Sequence, residues 1–481
     1  MKRLSLTLAL ALSLLAMVAQ PARSAKRGVS ENSFSNADEV RALAPGVSWY
    51  YNWGVSASTS VSSVAGPESD KLVEYVPMWW GGNSNETLLR QYLTDHPGVK
   101  YLLGFNEPNF RAQANMTPQQ AAELWPKLEK IAEDFNLVLV APALNYPDGA
   151  INDGHTYQPE QWMDAFLAAY PQAKFDYVAL HCYMNNSAPQ MSYIENFAKR
   201  YGKQVWLTEF CAWEGNVDST TQKRTMVQKI QDLELNPYVY RYAWFKAKGS
   251  NSAPYYRLLI NQNMLTHEPP VGTLSGAGKI YLNMSSFDTT YYWLPAQVIP
   301  AKDYVYSQSI AIDLNSDPAS QQVLQINEFD VYARAEYLIE IPVDGKYDLR
   351  LRLSSRAFLS SPQIRVFCDG EVVADQVLPV TGMTTTQDAW KTQMIQNIPL
   401  TAGKHRIELR STRSTTCKVN WLRLDLCGDI NGDMVADIAD VNAAINVMLG
   451  KQPASDVADQ NGDGKVDIAD VNAVINTMLG K

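Results

Sequence analysis

The sequence predicts a multidomain chain: a (β/α)8 TIM-type barrel, then a jelly-roll-like β-sandwich, then a small all-α unit built on calcium-type loops. Three observations predict it. Residues 46–284 alternate short apolar strands with amphipathic segments, the pattern of a parallel sheet covered by helices. From residue 298 to 427 the apolar period shortens to two, with turn signals between runs. IADVNAAINVMLGK (438–451) returns as IADVNAVINTMLGK (468–481), identical at twelve of fourteen positions.

The first 25 residues read as a secretory signal peptide. Lys2 and Arg3 precede an almost wholly apolar stretch, Leu4 to Ala19, and small residues follow to Ala25. A membrane anchor is the competing reading, but the stretch falls short of the roughly 20 residues needed to span. The cleavage point between Ala19 and Ala25 stays open. The expectation is a secreted, extracellular protein with no membrane span. Export permits disulfides among Cys182, Cys211, Cys368, Cys417 and Cys427. Cys182 and Cys211 share a domain and are candidates to pair; the pattern is open, and no spacing resembles a zinc site.

Seven barrel strands are visible: 47–53, 73–80, 101–108, 136–144, 176–183, 204–210 and 240–245. The eighth is not obvious. Amphipathic segments such as 117–135 and 159–170 lie between strands. About 240 residues with such strands fit the barrel. A doubly wound sheet is the alternative, but it lacks a glycine-rich nucleotide turn. Residues 285–297 read as a linker. The net charge of −9, with no basic run beyond the N-terminus, argues against a nucleic-acid partner.

Of that charge, −6 falls in residues 428–481, which hold nine Asp and three Lys. A loop precedes each copy of the repeat. Asp429, Asn431, Asp433, Asp437 and Asp440 occupy positions 1, 3, 5, 9 and 12 of the first; Asp459, Asn461, Asp463, Asp467 and Asp470 repeat them in the second. That is the spacing with which a looping chain offers hard oxygens to calcium, so two structural ions are expected. Position 6 usually holds Gly; Gly464 complies and Met434 does not. Each loop runs into one apolar helical stripe. A loop with one exit helix, duplicated, resembles the type I dockerin domain. The resemblance implies a cohesin domain of a scaffold or surface protein as partner, met by Ile438, Ala439, Ile468 and Ala469. A calcium-stapled stability module without a partner is the other reading.

Glu107 in LLGFNEPN and Glu209 in VWLTEF end candidate barrel strands, at the face where this fold places its active sites. Glycoside hydrolysis needs two such carboxyls, one to protonate the leaving oxygen and one to attack or to activate water. Asn106 is placed to bond a sugar hydroxyl. His181 and Tyr183 share one side of the preceding strand. Tyr183 is placed to hold the Glu209 carboxylate, and His181 to touch substrate or orient a carboxylate. Trp244 is placed to floor a sugar ring. Trp53, Trp79, Trp80 and Trp213 are cleft candidates, with core packing equally open for each. No metal or cofactor is needed for this chemistry.

The ordered runs WYYNWG (49–54), VPMWWGG (76–82), LLGFNEPN (102–109), APAL (141–144), VALHCY (178–183), VWLTEF (205–210) and YAWF (242–245) resemble glycoside hydrolase family 128, the Asl1-like catalytic core. The resemblance implies a barrel of retaining endo-β-1,3-glucanases, with Glu107 as acid/base and Glu209 as nucleophile, closing strands four and seven. Here they close the third and sixth visible strands, so the resemblance also implies an early strand between residues 54 and 72. Residues 298–427 resemble carbohydrate-binding modules of the family 6 and 35 type, through DAWKT (388–392), TAGKHRIELR (401–410) and VNWLRLD (419–425). That implies a sugar gripped by Trp390 and Asn420; a spacer sandwich is the alternative. The reading is therefore a secreted endo-1,3-β-glucanase acting on β-glucan. Its rivals are an endo-hydrolase of another β-glycan and a non-catalytic glycan-binding surface protein.

Overall fold

A computed structural model describes residues 20–249, 252–260, 271–355, 361–382, 388–414 and 417–480. Most of the expected signal peptide, residues 1–19, lies outside the described residues.

Eight parallel strands form the barrel sheet: β1 (Arg27–Ser30), β2 (Trp49–Tyr51), β3 (Glu74–Tyr75), β4 (Tyr101–Leu103), β5 (Val138–Leu144), β6 (Tyr177–Cys182), β7 (Val205–Phe210) and β8 (Val239–Phe245). Their order is β3-β2-β1-β8-β7-β6-β5-β4. The curl closes where Trp79 N–H donates to Leu103 O (2.8 Å) and Leu103 N–H to Pro77 O (3.0 Å). The eighth strand is β1, ahead of the expected start at residue 46 and not between 54 and 72, where a single 3-10 turn stands.

Helices α1 (Ala37–Leu43), α2 (Glu86–Asp95), α3 (Pro118–Phe135), α4 (Pro159–Ala169), α5 (Ser187–Tyr201), α6 (Ser219–Leu235) and α7 (Gly276–Asn283) cover the outside. Local chemistry sets their starts. Thr117 caps α3 with Gln120 answering it and Pro118 in the first turn, and Asp218 caps α6 at Thr221 N–H. The interior is filled by Trp49, Tyr51, Met78, Leu103, Val140 and Trp206, so the barrel is a packed core.

Arg27 is the odd residue of β1. It is buried and bonds Tyr242 Oη (3.0 Å), Tyr281 O (3.0 Å) and Ser285 O (2.6 Å), and pairs with Glu234 at 3.2 Å. Those contacts tie β1 to β8, α6 and the end of α7. Arg27→Ala would strand the buried Glu234 charge and is expected to cost about 3–5 kcal/mol. A lowered midpoint for loss of the barrel's near-ultraviolet circular dichroism on heating checks it.

The region read as a linker is packed rather than free: Phe287 and Trp293 are buried, and Trp293 N–H donates to Leu338 O (2.9 Å). The second unit is a separate antiparallel sheet. Its strands are β9 (Ile299–Pro300), β10 (Tyr306–Leu314), β11 (Leu324–Ile341), β12 (Gly345–Ser355), β13 (Gln363–Cys368), β14 (Glu371–Val377), β15 (Trp390–Leu400), β16 (Gly403–Ser411) and β17 (Cys417–Leu426). The long β11 joins the β14-β13-β16 half to the β17-β12-β15 half. Both halves feed one core, including Tyr337, Ile364 and Leu409 with Leu351, Ile398 and Leu422. Gln231 of α6 donates to Ser307 O (2.9 Å), fastening barrel to sheet.

The tail folds into α8 (Ile438–Met448) and α9 (Ile468–Met478), which bury Val441 and Ala444 with Val471 and Val474. It sits on the second unit through Arg423–Asp456 (3.0 Å) and Arg350 Nη2 donating to Asp459 O (3.0 Å).

Candidate active site

The acids occupy the C-terminal rim of the barrel. Glu209 lies in β7, and its α-carbon pairs with that of His181 on β6. Glu107 sits just past β4, its N–H donated to Ala143 O (2.8 Å). It holds a φ of +46°, a left-handed conformation that non-glycine residues rarely adopt. Such local strain is characteristic of residues aimed for function. Trp53, beyond β2, does the same at φ +57°.

The two carboxyls share one network. Trp53 Nε1 and Tyr51 Oη donate to Glu209 Oε1 at 2.8 and 3.2 Å, and the Tyr183 hydroxyl donates to Oε2. Asn145 Nδ2 donates to Glu107 Oε1 (2.8 Å). His181 Nδ1 lies 2.6 Å from Glu107 Oε1 and 3.4 Å from Glu209 Oε2, so one imidazole nitrogen joins both acids. An oxygen of each carboxyl and that nitrogen all fall within 4.8 Å of one another. Beneath them the buried Lys229 of α6 donates to Cys211 O (3.2 Å) and to Met184 O, fastening the segments that follow Glu209 and Tyr183. Burial pulls its ammonium down to about 8.

Burial opposes a charged His181, but the Glu209 and Glu107 charges outweigh it and hold the ring above the ordinary histidine value. Burial pushes Glu209 above the usual carboxylate range; the His181 charge opposes this, Glu107 adds to it, and the Tyr183 and Trp53 donors oppose it. If Glu209 must be ionised to act, the acidic limb of kcat/KM lies above that of an exposed glutamate. His181→Asn removes the cation that lowers Glu209. The acidic limb is therefore expected to move to higher pH, with activity recovered above it; a pH profile of kcat/KM checks this.

A cleft of about 530 Å³ opens above the pair, and its lining includes the aromatic side chains of Trp53, Trp80, Phe110, Trp213 and Phe245 beside Asn106, Gln113 and Asn145. Asn106, Tyr183, Trp53, Trp80 and Trp213 thus reach it. Trp244 does not. It is fully buried, its Nε1 bonded to Tyr256 O (2.6 Å) and its ring against Tyr281 of α7. Ala243 fills the barrel interior, so alternation turns Trp244 outward and gives the rim to Phe245. Trp79 is likewise buried away from the cleft. His181 is fully buried beneath the acids and touches carboxylates rather than the cleft. Tyr51 and Asn145 were not among the expected residues. Asn145 directly follows β5, and its place at a strand end was the available signal.

Cys182 and Cys211 are both free and buried. In the second unit, Asn420 is fully buried, accepting from Ser320 (2.5 Å) and donating to Asn315 (2.7 Å), which corrects its expected place at a sugar-gripping edge. Trp390 is half-buried on β15.

In the tail, Asp429 Oδ1 accepts from Gly432 N–H (2.7 Å) and Asp440 Oδ1 from Ile430 N–H (2.8 Å). Oxygens of Asp429, Asp433 and Asp440 lie within 4.8 Å of one another, with Asp429 and Asp440 buried. The second loop repeats the bonds: Asp459 Oδ1 accepts from Gly462 N–H (2.8 Å) and Asp470 Oδ1 from Gln460 N–H (2.8 Å). Met434 takes φ +65° where Gly464 takes +87°, so the first loop makes the same turn without glycine. Asp437 and Asp467, at position 9, cap α8 and α9.

A curled parallel barrel with two buried acids meeting at its C-terminal rim, under an aromatic-walled cleft, is the apparatus of a glycoside hydrolase. The chain belongs to the glycosyl hydrolase catalytic core family, whose sequence profile matches residues 28–281. Alkali-sensitive linkage protein 1 of Schizosaccharomyces pombe is 31% identical over 248 residues, 50% of this chain and 40% of that protein. The chain thus spans less than half the length of that relative. Two solved structures are also similar. The family 128 subgroup II endo-β-1,3-glucanase of Pseudomonas viridiflava is 33% identical with a TM-score of 0.47, covering 54% of this chain and 98% of that one. The subgroup I enzyme of Amycolatopsis mediterranei, solved with laminaritriose, is 26% identical with a TM-score of 0.41, covering 53% and 98%.

Proposed function

We propose that the chain is a secreted, retaining endo-β-1,3-glucanase of glycoside hydrolase family 128, tethered through its tail. The observation that carries the chemistry is the closeness of the acids, with an oxygen of each within 4.8 Å. Retaining enzymes hold their carboxyls about 5–5.5 Å apart, whereas inverting ones leave about 6.5–9.5 Å for a water. The β-1,3 linkage is read from the ordered motifs that resemble family 128.

In the first step Glu107 protonates the glycosidic oxygen while Glu209 attacks the anomeric carbon. In the second, Glu107 as base takes a proton from water, which cleaves the glycosyl-enzyme. Tyr51, Trp53 and Tyr183 donate to Glu209, stabilising it as a carboxylate and aiming it. Trp53, Trp80, Trp213 and Phe245 line the cleft above the pair and supply the aromatic surface on which sugar rings pack. Oligosaccharide release from linear β-1,3-glucan, beside mannan and β-1,4-glucan, tests the substrate. Activity confined to another polymer would keep the barrel chemistry and overturn the linkage; binding without hydrolysis would favour the non-catalytic rival.

The tail is proposed to be a dockerin holding two calcium ions. Asp429, Asn431, Asp433, Asp437 and Asp440, and their equivalents Asp459 to Asp470, supply an all-oxygen donor set that suits a hard cation. Ile438 and Ile468 are about three-fifths exposed, beside exposed Ala439 and Ala469, as a cohesin-facing patch requires. Calcium would staple two 11-residue helices that bury little core of their own. Chelation with EGTA is expected to make residues 429–480 protease-sensitive while hydrolysis of soluble oligosaccharides is unchanged. Limited proteolysis with mass mapping checks both.

A further inference from the structure

The second unit carries a cluster that the hydrolase reading does not use. Cys368 ends β13, Asp369 begins the turn into β14, and His405 lies on the neighbouring strand β16. Cys368 Sγ is 3.5 Å from His405 Nδ1 and 3.9 Å from Asp369 Oδ2, and Nδ1 is 2.7 Å from Oδ2. We infer that Cys368, Asp369 and His405 form a binding site for a thiophilic divalent cation such as zinc.

The hydrogen-bond accounting is the first argument. His405 Nε2 is 2.8 Å from Thr401 O, which can only accept, so Nε2 carries a hydrogen. That leaves Nδ1 to face a carboxylate oxygen at 2.7 Å and the thiol sulfur at 3.5 Å. Hydrogens join the three atoms in the metal-free cluster, and a cation taking their place meets one nitrogen, one oxygen and one sulfur ligand. A ring whose far N–H is held by a backbone carbonyl, with its near nitrogen turned into the cluster, is how histidine is oriented as a metal ligand. Asp369 is oriented likewise, because its Oδ1 accepts from Arg406 N–H (2.8 Å) and leaves Oδ2 for the cluster.

The distances are the second argument. Tetrahedral zinc with its usual bond lengths places sulfur and nitrogen ligands about 3.5 Å apart. The observed separation is 3.5 Å. Nitrogen and oxygen must open from 2.7 Å to about 3.3 Å, and the half-exposed Asp369 side chain has room to swing. Three ligands leave a fourth position for water. The alternative use of these residue types, a thiol activated through a histidine relay, needs thiol and carboxylate on opposite ring nitrogens. Here both face Nδ1.

On binding, the cation displaces the Cys368 thiol proton to solvent and forms the metal–sulfur bond. Of the five cysteines, Cys368 alone is not buried, so its alkylation reads the site directly. The full chain, kept in calcium, is treated with iodoacetamide with and without zinc, and modification is mapped at Cys368. Zinc is expected to slow it at least tenfold, calcium alone is not, and His405→Gln is expected to abolish the protection. Cobalt(II) is expected to give one equivalent of a thiolate-to-metal absorption band, absent in Cys368→Ser, with hydrolase activity unchanged in both variants. No protection and no band at saturating metal would leave an ordinary ion pair and overturn the site. A band that survives in Cys368→Ser, or equal protection by calcium, would overturn it too.

Discussion

Glu209→Gln is expected to lower kcat on β-1,3-glucan by on the order of 10⁴-fold or more, because it removes the attacking group and neither step can proceed through it. Its surroundings sharpen the prediction. Trp53, Tyr51 and Tyr183 supply donors to both oxygens of a carboxylate. The amide fills the same space, and its oxygen still accepts, but its NH2 group turns donor against donor on one side. Substrate binding is expected to survive in the variant, since the cleft walls are untouched. Parallel measurement of kcat and of oligosaccharide affinity separates the two; an equal loss of affinity would indicate a disturbed cleft rather than a missing nucleophile.

Glu107→Gln is expected to fall less on glucan, by about 10²–10⁴-fold, the usual worth of a general acid and base. The leaving group discriminates. An aryl β-glycoside departs without protonation, so its first step is expected to be nearly unaffected, and the glycosyl-enzyme then accumulates because no base activates water. A burst of aryl alcohol followed by a slow steady state is the expected trace. A small anionic nucleophile such as azide, which needs no base, is expected to restore turnover of the aryl substrate in this variant and not in Glu209→Gln. Equal damage on both substrates would contradict the assignment of roles.

The acids were legible because each ends an apolar strand at a face where a merely solvated glutamate has no reason to be. Strands β5 to β8 were legible for a related reason: burial on both faces leaves nearly continuous apolar runs. The strand β1 was not. It has four residues, RGVS, and its first is a buried arginine whose partners, Tyr242 and Glu234, lie more than 200 residues away. Trp244 misled because aromatic content at a strand end suggests a cleft, whereas the pleat of β8 decides which side a residue faces. Asn420 was expected from the resemblance alone, and its amide is spent on Ser320 and Asn315 inside the second unit. The shared His181 nitrogen was beyond reach, because residues 107, 181 and 209 meet only through strand register and the strained turn at Glu107.

The central claim is that Glu107 and Glu209 act on one bond by double displacement. The most direct measurement is the anomeric configuration of the first reducing end released from a β-1,3-gluco-oligosaccharide, followed by proton NMR before mutarotation. The account predicts the β-anomer, appearing first and decaying toward the equilibrium mixture. The α-anomer as first product would mean that water attacks directly, and would contradict the role given to Glu209.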